Sequence, residues 1–494
     1  MSFILYIIFL ILLILGLSDI TDNLVLSILS KILFISIPIL LISYLTIKKF
    51  HIVVNFLTIW FGLQRFVALM IASIPVFSVE IFRTFFLIKE VFFIYIFILL
   101  GIVFILNKNR IKIQTIDKYL IIFCTVLLLY MLFSHSNIWV RILSLRRFII
   151  LPLVYAIGRL ALVTQKNIQQ IIKFTIIFAF ILCIYGLTDY FIARDFIYLH
   201  LFNIDEYFSK QVEAGFIPIK WTLGNVMQGG IFVDYTWGAL QRFVTTYIEP
   251  TTLGSFLAFC MLYATFYKKA YSVPQINNIK PAMVKLFSNI ILFLCIFLTF
   301  SKGALIIFAT GTAFILYFNE KIPLIIRRCF LIGVGGVIVI MVLYLLFANT
   351  SGASAHINGL ISGVRSGFIH PFGLGLGNAG NYVQMAELDT SEVVGVESTV
   401  GCMLGQLGII GYLPYLIFLI TLITTMSTEY ARLKNINYDL ANLSLTTAGA
   451  FLGYTVNSLF TDSASGVTGN FYYFLLAGLV VTKLSCIKQE EIKQ

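Results

Sequence analysis

The sequence predicts an all-α, polytopic membrane protein of about fourteen transmembrane helices, with two long loops on the outer face. Three observations predict it. The 494 residues are 60% hydrophobic and 11% charged, against roughly 25% charge in a soluble domain. The apolar residues fall into runs long enough to cross a bilayer, separated by polar breaks. Every second break is basic, the alternation expected when Lys and Arg are held on the cytoplasmic side.

Taken in order, the first run (residues 3–17) lacks a basic leader and a small-residue cleavage site, so it reads as a retained span. The basic connections then follow at Lys48 and Lys49, Lys108 to Lys118, Lys166, Lys268 to Lys285, Lys321 to Arg328, Arg432 and Lys434, and Lys483 to Lys493. They place both termini in the cytoplasm and make the chain a single integral membrane domain over 1–494. The net charge of +12 is then topology and contact with anionic membrane lipids, with no nucleic-acid footprint. Seven cysteines show neither a disulfide framework nor metal-ligand spacing, and no cofactor or metal is expected. SKGALIIF has a Lys but no Gly-rich turn before it, so nucleotide-driven work is not indicated.

Two outer connections are too long for simple turns: 193–250 and 348–398. Both mix aromatic and aliphatic residues with Gly, Pro and charges, a composition that folds against a membrane. The chemistry is therefore expected on the outer face. Positive charge there runs against the topological bias, and Arg242, Lys302 and Arg365, from three distant segments, are candidates to converge on one anion. A guanidinium fork matches phosphate oxygens bidentately. Arg141, Arg146, Arg147 and Arg194 read instead as interface anchors. Glu249 precedes Pro250 and suits the start of a helix, with an ion pair to Arg242 as its second role. His370 stands before Pro371 and FGLGLGN, whose exposed N–H groups would suit an anion. Glu387, Asp389 and Glu392 read as a solvated acidic face, with a divalent cation on their carboxylate oxygens as the lesser alternative. Glu397 lies where the second loop meets the apolar run VESTVGCMLGQLGIIGYLPYL. A carboxylate held at the lip of a membrane is costly and so usually has a task.

The segments RFVTTYIEPTTLGSFL, TFSKGALI, HPFGLGLGN and VESTVGCMLGQLGIIGY, in this order between spans, resemble the O-antigen ligase and Wzy-type O-antigen polymerase superfamily. IKEVFF around Lys89 and Glu90 is similar to that family's amino-terminal half. The resemblance covers roughly residues 242–416, and the first half by topology. It implies a glycosyltransferase in the bacterial cytoplasmic membrane, acting at the outer face on undecaprenyl-pyrophosphate-linked oligosaccharides, with a flippase and a chain-length regulator as partners. Arg242 and Arg365 match the family's loop arginines that engage pyrophosphate and glycan. Where ligases of the family carry a His, this chain has Glu397, which looks more like the polymerase branch.

On this reading Glu397 is the base that takes a proton from an acceptor hydroxyl. Arg242, Arg365 and Lys302, with Glu249 and His370, hold the pyrophosphate and glycan, and one carboxylate without a second suggests an inverting, metal-independent transfer. The product is O-antigen, capsule or exopolysaccharide. A ligase acting on a terminal acceptor is the alternative within the enzyme class. A lipid-linked oligosaccharide flippase is the alternative outside it, although the halves show no repeat symmetry.

Overall fold

The computed structural model describes residues 40–74, 78–106, 113–193, 202, 204–214, 232–235, 238–271, 281–320, 323–325, 327–329, 332, 351–380, 394–395 and 397–493. Among them the helices are α1 (Phe50–Ala72), α2 (Val79–Leu106), α3 (Thr115–Phe133), α4 (Ile138–Leu160), α5 (Gln165–Thr188) and α6 (Ile204–Glu213), then α7 (Pro250–Phe266), α8 (Pro281–Leu298), α9 (Lys302–Phe318), α10 (Ser351–Ile369), α11 (Thr399–Leu433), α12 (Tyr438–Asn457) and α13 (Val467–Lys493). A two-stranded antiparallel hairpin, β1 (Phe232–Tyr235) and β2 (Gly238–Gln241), pairs Phe232 with Gln241. The fold is thus helical with one small hairpin in the first long loop.

Six of these helices are long and apolar enough to cross a membrane, and three more are apolar but shorter. The expected fourteen spans are not reached among the described residues. Runs in 1–39 and 333–350 lie outside them. There is also a physical reason. Helices α4 and α12 are 23 and 20 residues long, the length of a span, but polar for one. Arg141, Arg146, Arg147 and Arg159 lie in α4, and α12 buries Asn442, Ser444, Thr446 and Thr447. A helix enclosed by other helices need not be apolar toward lipid, provided its polar groups find partners. By contrast α2 turns Val91, Ile94, Ile98 and Ile102 outward at 50% exposure or more, the face a bilayer covers.

Side-chain contacts fix how the helices run. Arg147 meets Ser465 and Gly158 meets Gly478, so α4 and α13 are parallel. A Cβ on Gly158 would stand 2.5 Å from the Leu475 carbonyl oxygen, so only a residue without one lets these backbones touch. Ser255 meets Asn470, and Gly254 meets Ser301, making α7, α9 and α13 parallel. Gly303 meets Asn457 and Gly311 meets Gly449, making α9 and α12 antiparallel. Tyr130 meets Leu407 and Phe123 meets Tyr415, making α3 and α11 antiparallel. The starts of α4, α7, α9, α11 and α13 therefore share one end of the bundle with the finishes of α3 and α12. That end carries Glu397; the other carries Arg159 and, among the described residues, Lys118, Arg432, Lys434 and Lys483.

Candidate active site

Glu397 sits two residues before α11, next to its capping residue Ser398. Ser398 caps the helix, its hydroxyl accepting from Gly401 N at 3.0 Å and donating to the Leu459 carbonyl at 2.8 Å. Thr399 Oγ1 donates to the Thr461 carbonyl at 2.8 Å, and Val400 N to that of Ser458 at 3.2 Å. The turn between α12 and α13 thus clamps the start of α11. Glu397 takes a φ of 63°, the left-handed region that costs a side chain about 1 kcal/mol or more and that recurs where function fixes geometry.

Three partners surround its carboxylate. His356 on α10 places Nδ1 3.1 Å from the Glu397 carbonyl oxygen and 3.7 Å from Oε2. A carbonyl only accepts, so this hydrogen bond forms in the tautomer with the proton on Nδ1. Asp462 is within electrostatic reach, itself ion-paired to Arg147, whose Nη2 also donates to the Asp462 carbonyl at 2.9 Å. Burial, and next the Asp462 charge, raise the Glu397 carboxyl above its ordinary value, against the opposing pull of His356 and Arg147. The side chain keeps 29% of its exposure, so a substrate can reach it. A carboxylate with raised proton affinity, beside an imidazole, can accept and pass on a proton.

Arg242 and Lys302 lie near one another. Arg242 Nε donates to the Thr299 carbonyl at 2.9 Å, and Phe243 N to that of Leu298 at 3.0 Å. This lays residues 242–243 on the α8–α9 turn, and Lys302 begins α9 within electrostatic reach of Arg242. The pair is also tied to Glu397's surroundings. Gly303 packs on Asn457, the residue before Ser458, whose carbonyl holds Val400.

Glu249 pairs not with Arg242 but with Arg65 of α1, at 2.5 Å. It is the residue before the first turn of α7, with Pro250 at the first helical position and Thr252 Oγ1 donating to its Oε2 at 2.5 Å. Partial desolvation of this half-exposed carboxyl works against its charge, but Arg65, Thr252 and Lys89 outweigh it and hold the carboxyl below its ordinary value. Arg146 and Arg147 are not interface anchors either. Arg146 stands 3.9 Å from Glu90 and Arg147 holds Asp462, so adjacent residues of α4 serve two clusters. Arg141 donates to the Met131 carbonyl at 3.0 Å. Arg194 lies outside the described residues.

The FGLGLGN loop does not offer its amides to a ligand. Leu374 N and Gly375 N donate to the carbonyls of Gly405 and Gln406 at 2.9 and 3.0 Å, Leu376 N to Ser134 Oγ at 2.8 Å, and Gly377 N to Gln406 Oε1 at 3.0 Å. The reason lies in α11, which breaks at Gly408 (φ 65°, ψ −179°). The break frees carbonyls that the loop then satisfies. Tyr130 adds its hydroxyl, 2.8 Å from the Leu407 oxygen and 2.6 Å from that of Phe372. His370 is exposed at the end of α10. Arg365 is exposed too, beside Val364, Phe368 and Ile369. It lies about two and a half turns beyond His356 and so on the opposite face of α10, and the structure does not bring it to Glu397. Glu387, Asp389 and Glu392 lie outside the described residues. Among the described residues no group of three or more His, Cys, Asp or Glu is placed to hold a metal ion.

His356, Asp462 and Arg147 are the partners that sequence reasoning missed. The adjacent arginines in an apolar stretch, and the polar turn TDSASG between two spans, were the available signals. Compared with known proteins, the chain matches no family model and no curated protein.

Proposed function

We propose that this protein is a membrane glycosyltransferase, a Wzy-type polysaccharide polymerase that joins undecaprenyl-pyrophosphate-linked repeat units at the outer face of the bacterial cytoplasmic membrane. The observation that carries the reading is the placement of Glu397, reachable and raised in proton affinity, at the same bundle end as the Arg242–Lys302 pair. Glu397 takes the proton of an acceptor hydroxyl. The hydroxyl oxygen then bonds to the anomeric carbon, and the bond from that carbon to the pyrophosphate breaks. The electron pair leaves with the pyrophosphate, whose growing charge Arg242 and Lys302 stabilise. Arg365, exposed on α10, meets the glycan or carrier as it approaches. Basic residues at the opposite end, where α13 finishes, support a cytoplasmic placement for that end.

A ligase is the second reading, favoured by one observation: His356 brings an imidazole to within 3.7 Å of Glu397, the residue type that ligases of the resembling family use. Deleting the gene and examining the surface glycan and the lipid-linked pool separates the two. Single repeats without a ladder mean polymerase, and long chains stranded on the carrier mean ligase. Unchanged glycan in both pools would defeat both readings.

A further inference from the structure

The bundle holds a second group of charges that the transfer chemistry does not use. Lys89 lies about 15 Å along α2 from its start, within a helix apolar enough to cross a membrane. It shares the inward face with Phe82, Phe85, Phe86, Phe93 and Ile96. Among the described residues its ammonium has only Gln64 Oε1 at 3.4 Å and the Phe86 ring at 5.6 Å. Arg65, Arg146, Glu90 and Glu249 are all within its electrostatic reach. Arg65 is taken by Glu249 at 2.5 Å, whereas Arg146 and Glu90 stand loosely at 3.9 Å. Three cations against two carboxylates leave one positive charge in excess. Two buried polar atoms beside them, Glu90 Oε2 and the hydroxyl of Tyr247, have no hydrogen-bond partner among the described residues. Glu249 nonetheless keeps 47% of its side-chain exposure, so the cluster is open to a visitor.

A cation left without a close counter-ion inside a membrane protein is costly, and an arriving anion removes that cost. We propose that Lys89, Arg146 and Arg65 form a second anion site, separate from Arg242 and Lys302, that binds the phosphate of the lipid carrier bearing the acceptor glycan. The assignment to an acceptor rests on the polymerase reading, in which two lipid-linked substrates are bound at once. Lys89 supplies the uncommitted charge and Arg146 a fork released from its loose contact with Glu90. Arg65, held by Glu249, sets the wall of the site.

The test uses the full chain in lipid nanodiscs with undecaprenyl phosphate as the probe. Lys89→Met and, separately, Arg146→Gln should each weaken probe binding roughly tenfold, the loss of one charge-assisted contact. Lys89→Met should also raise the melting temperature of the unliganded protein, because it removes a charge without a close partner. Unchanged probe affinity in both variants, or a lowered melting temperature in Lys89→Met, would overturn the proposal by making the charges structural. A uronate-bearing oligosaccharide free of lipid tests the other source of an oxyanion. If it binds through Lys89 and undecaprenyl phosphate does not, the assignment to the carrier phosphate fails. Glu397→Gln separates this proposal from the enzyme reading. Probe binding that depends on Lys89 in both wild type and Glu397→Gln, without transfer in either, would sink the transferase and leave the site standing.

Discussion

The two ends of the bundle use the same residue types to opposite effect. At the Arg159 end, Arg159 grips Asp117 with two bonds, Nε to Oδ1 at 2.8 Å and Nη2 to Oδ2 at 2.7 Å. Its Nη1 reaches Thr482 Oγ1 at 2.9 Å, and the Tyr155 hydroxyl donates to Asp117 at 3.2 Å. Only 6% of the Arg159 side chain is exposed. The Glu397 end holds tight pairs as well, Arg147 with Asp462 and Arg65 with Glu249 at 2.5 Å, but beside them His356 stands 3.7 Å from Glu397 and Arg146 3.9 Å from Glu90. A saturated polar cluster spends its bonding capacity on holding helices α3, α4 and α13 together. An unsaturated one keeps capacity for something that arrives. Polar residues in a membrane protein are therefore sorted less by type than by how completely the protein itself answers them.

Substitutions can break this contrast, and the largest effect is expected at Glu397. Glu397→Gln should cut transfer of lipid-linked repeats by about 10² to 10⁴ or more, the range of a lost general base, with the protein still inserted and folded. Near-normal ladder formation would place the base elsewhere. At the other end, Arg159→Met should destabilise the fold by on the order of 3–5 kcal/mol, because Asp117 is left unpaired, as read by thermal unfolding in detergent. Adding Asp117→Leu should recover most of that loss; no recovery would mean that Arg159 holds more than its partner. A pH profile sharpens the picture at Glu397. A general base works when ionised, so activity is expected to fall as pH drops through the Glu397 pKa, which burial and then Asp462 raise. Asp462→Asn should extend activity to lower pH and His356→Gln should move the acid limb upward, and parallel shifts would refute the arrangement. The smallest effect is expected from Tyr130→Phe, which removes hydroxyl bonds at the α11 break and should cost about 1 kcal/mol of stability while leaving transfer intact.

How far these two ends were legible in the sequence differs between them. The helical class and the membrane follow from apolar runs, since backbone in lipid must satisfy itself. The number of spans does not, because α4 and α12 are helices of spanning length whose polar residues, Arg147, Arg159 and Ser444 among them, bond to other segments of the protein. Arg242 and Lys302 stood out as charges against the expected topological bias, and the α8–α9 turn sets them within electrostatic reach of one another. The partner of Glu249 was not legible: Arg65 is 184 residues away and faces it only because α1 and the 245–249 turn pack together, with Thr246 bonded to the Gly62 carbonyl. His370 and the glycines beside it looked like a ligand loop because glycine patterns for binding and for close packing are alike. Only the break at Gly408 shows which of the two applies here.

That break also separates a mechanical boundary from a chemical one. Residues 409–433 present Ile410, Leu413 and Ile420 to the bilayer at 46% exposure or more, and a thinner or thicker membrane tilts such a stretch. Residues 399–407 are fastened instead to the α12–α13 turn and the 374–377 loop. A rod would carry every tilt of its lower half to Glu397, whereas a jointed helix lets the span follow the lipid while the carboxylate stays with the protein. The Glu397 end is in this sense insulated from the thickness of the membrane around it.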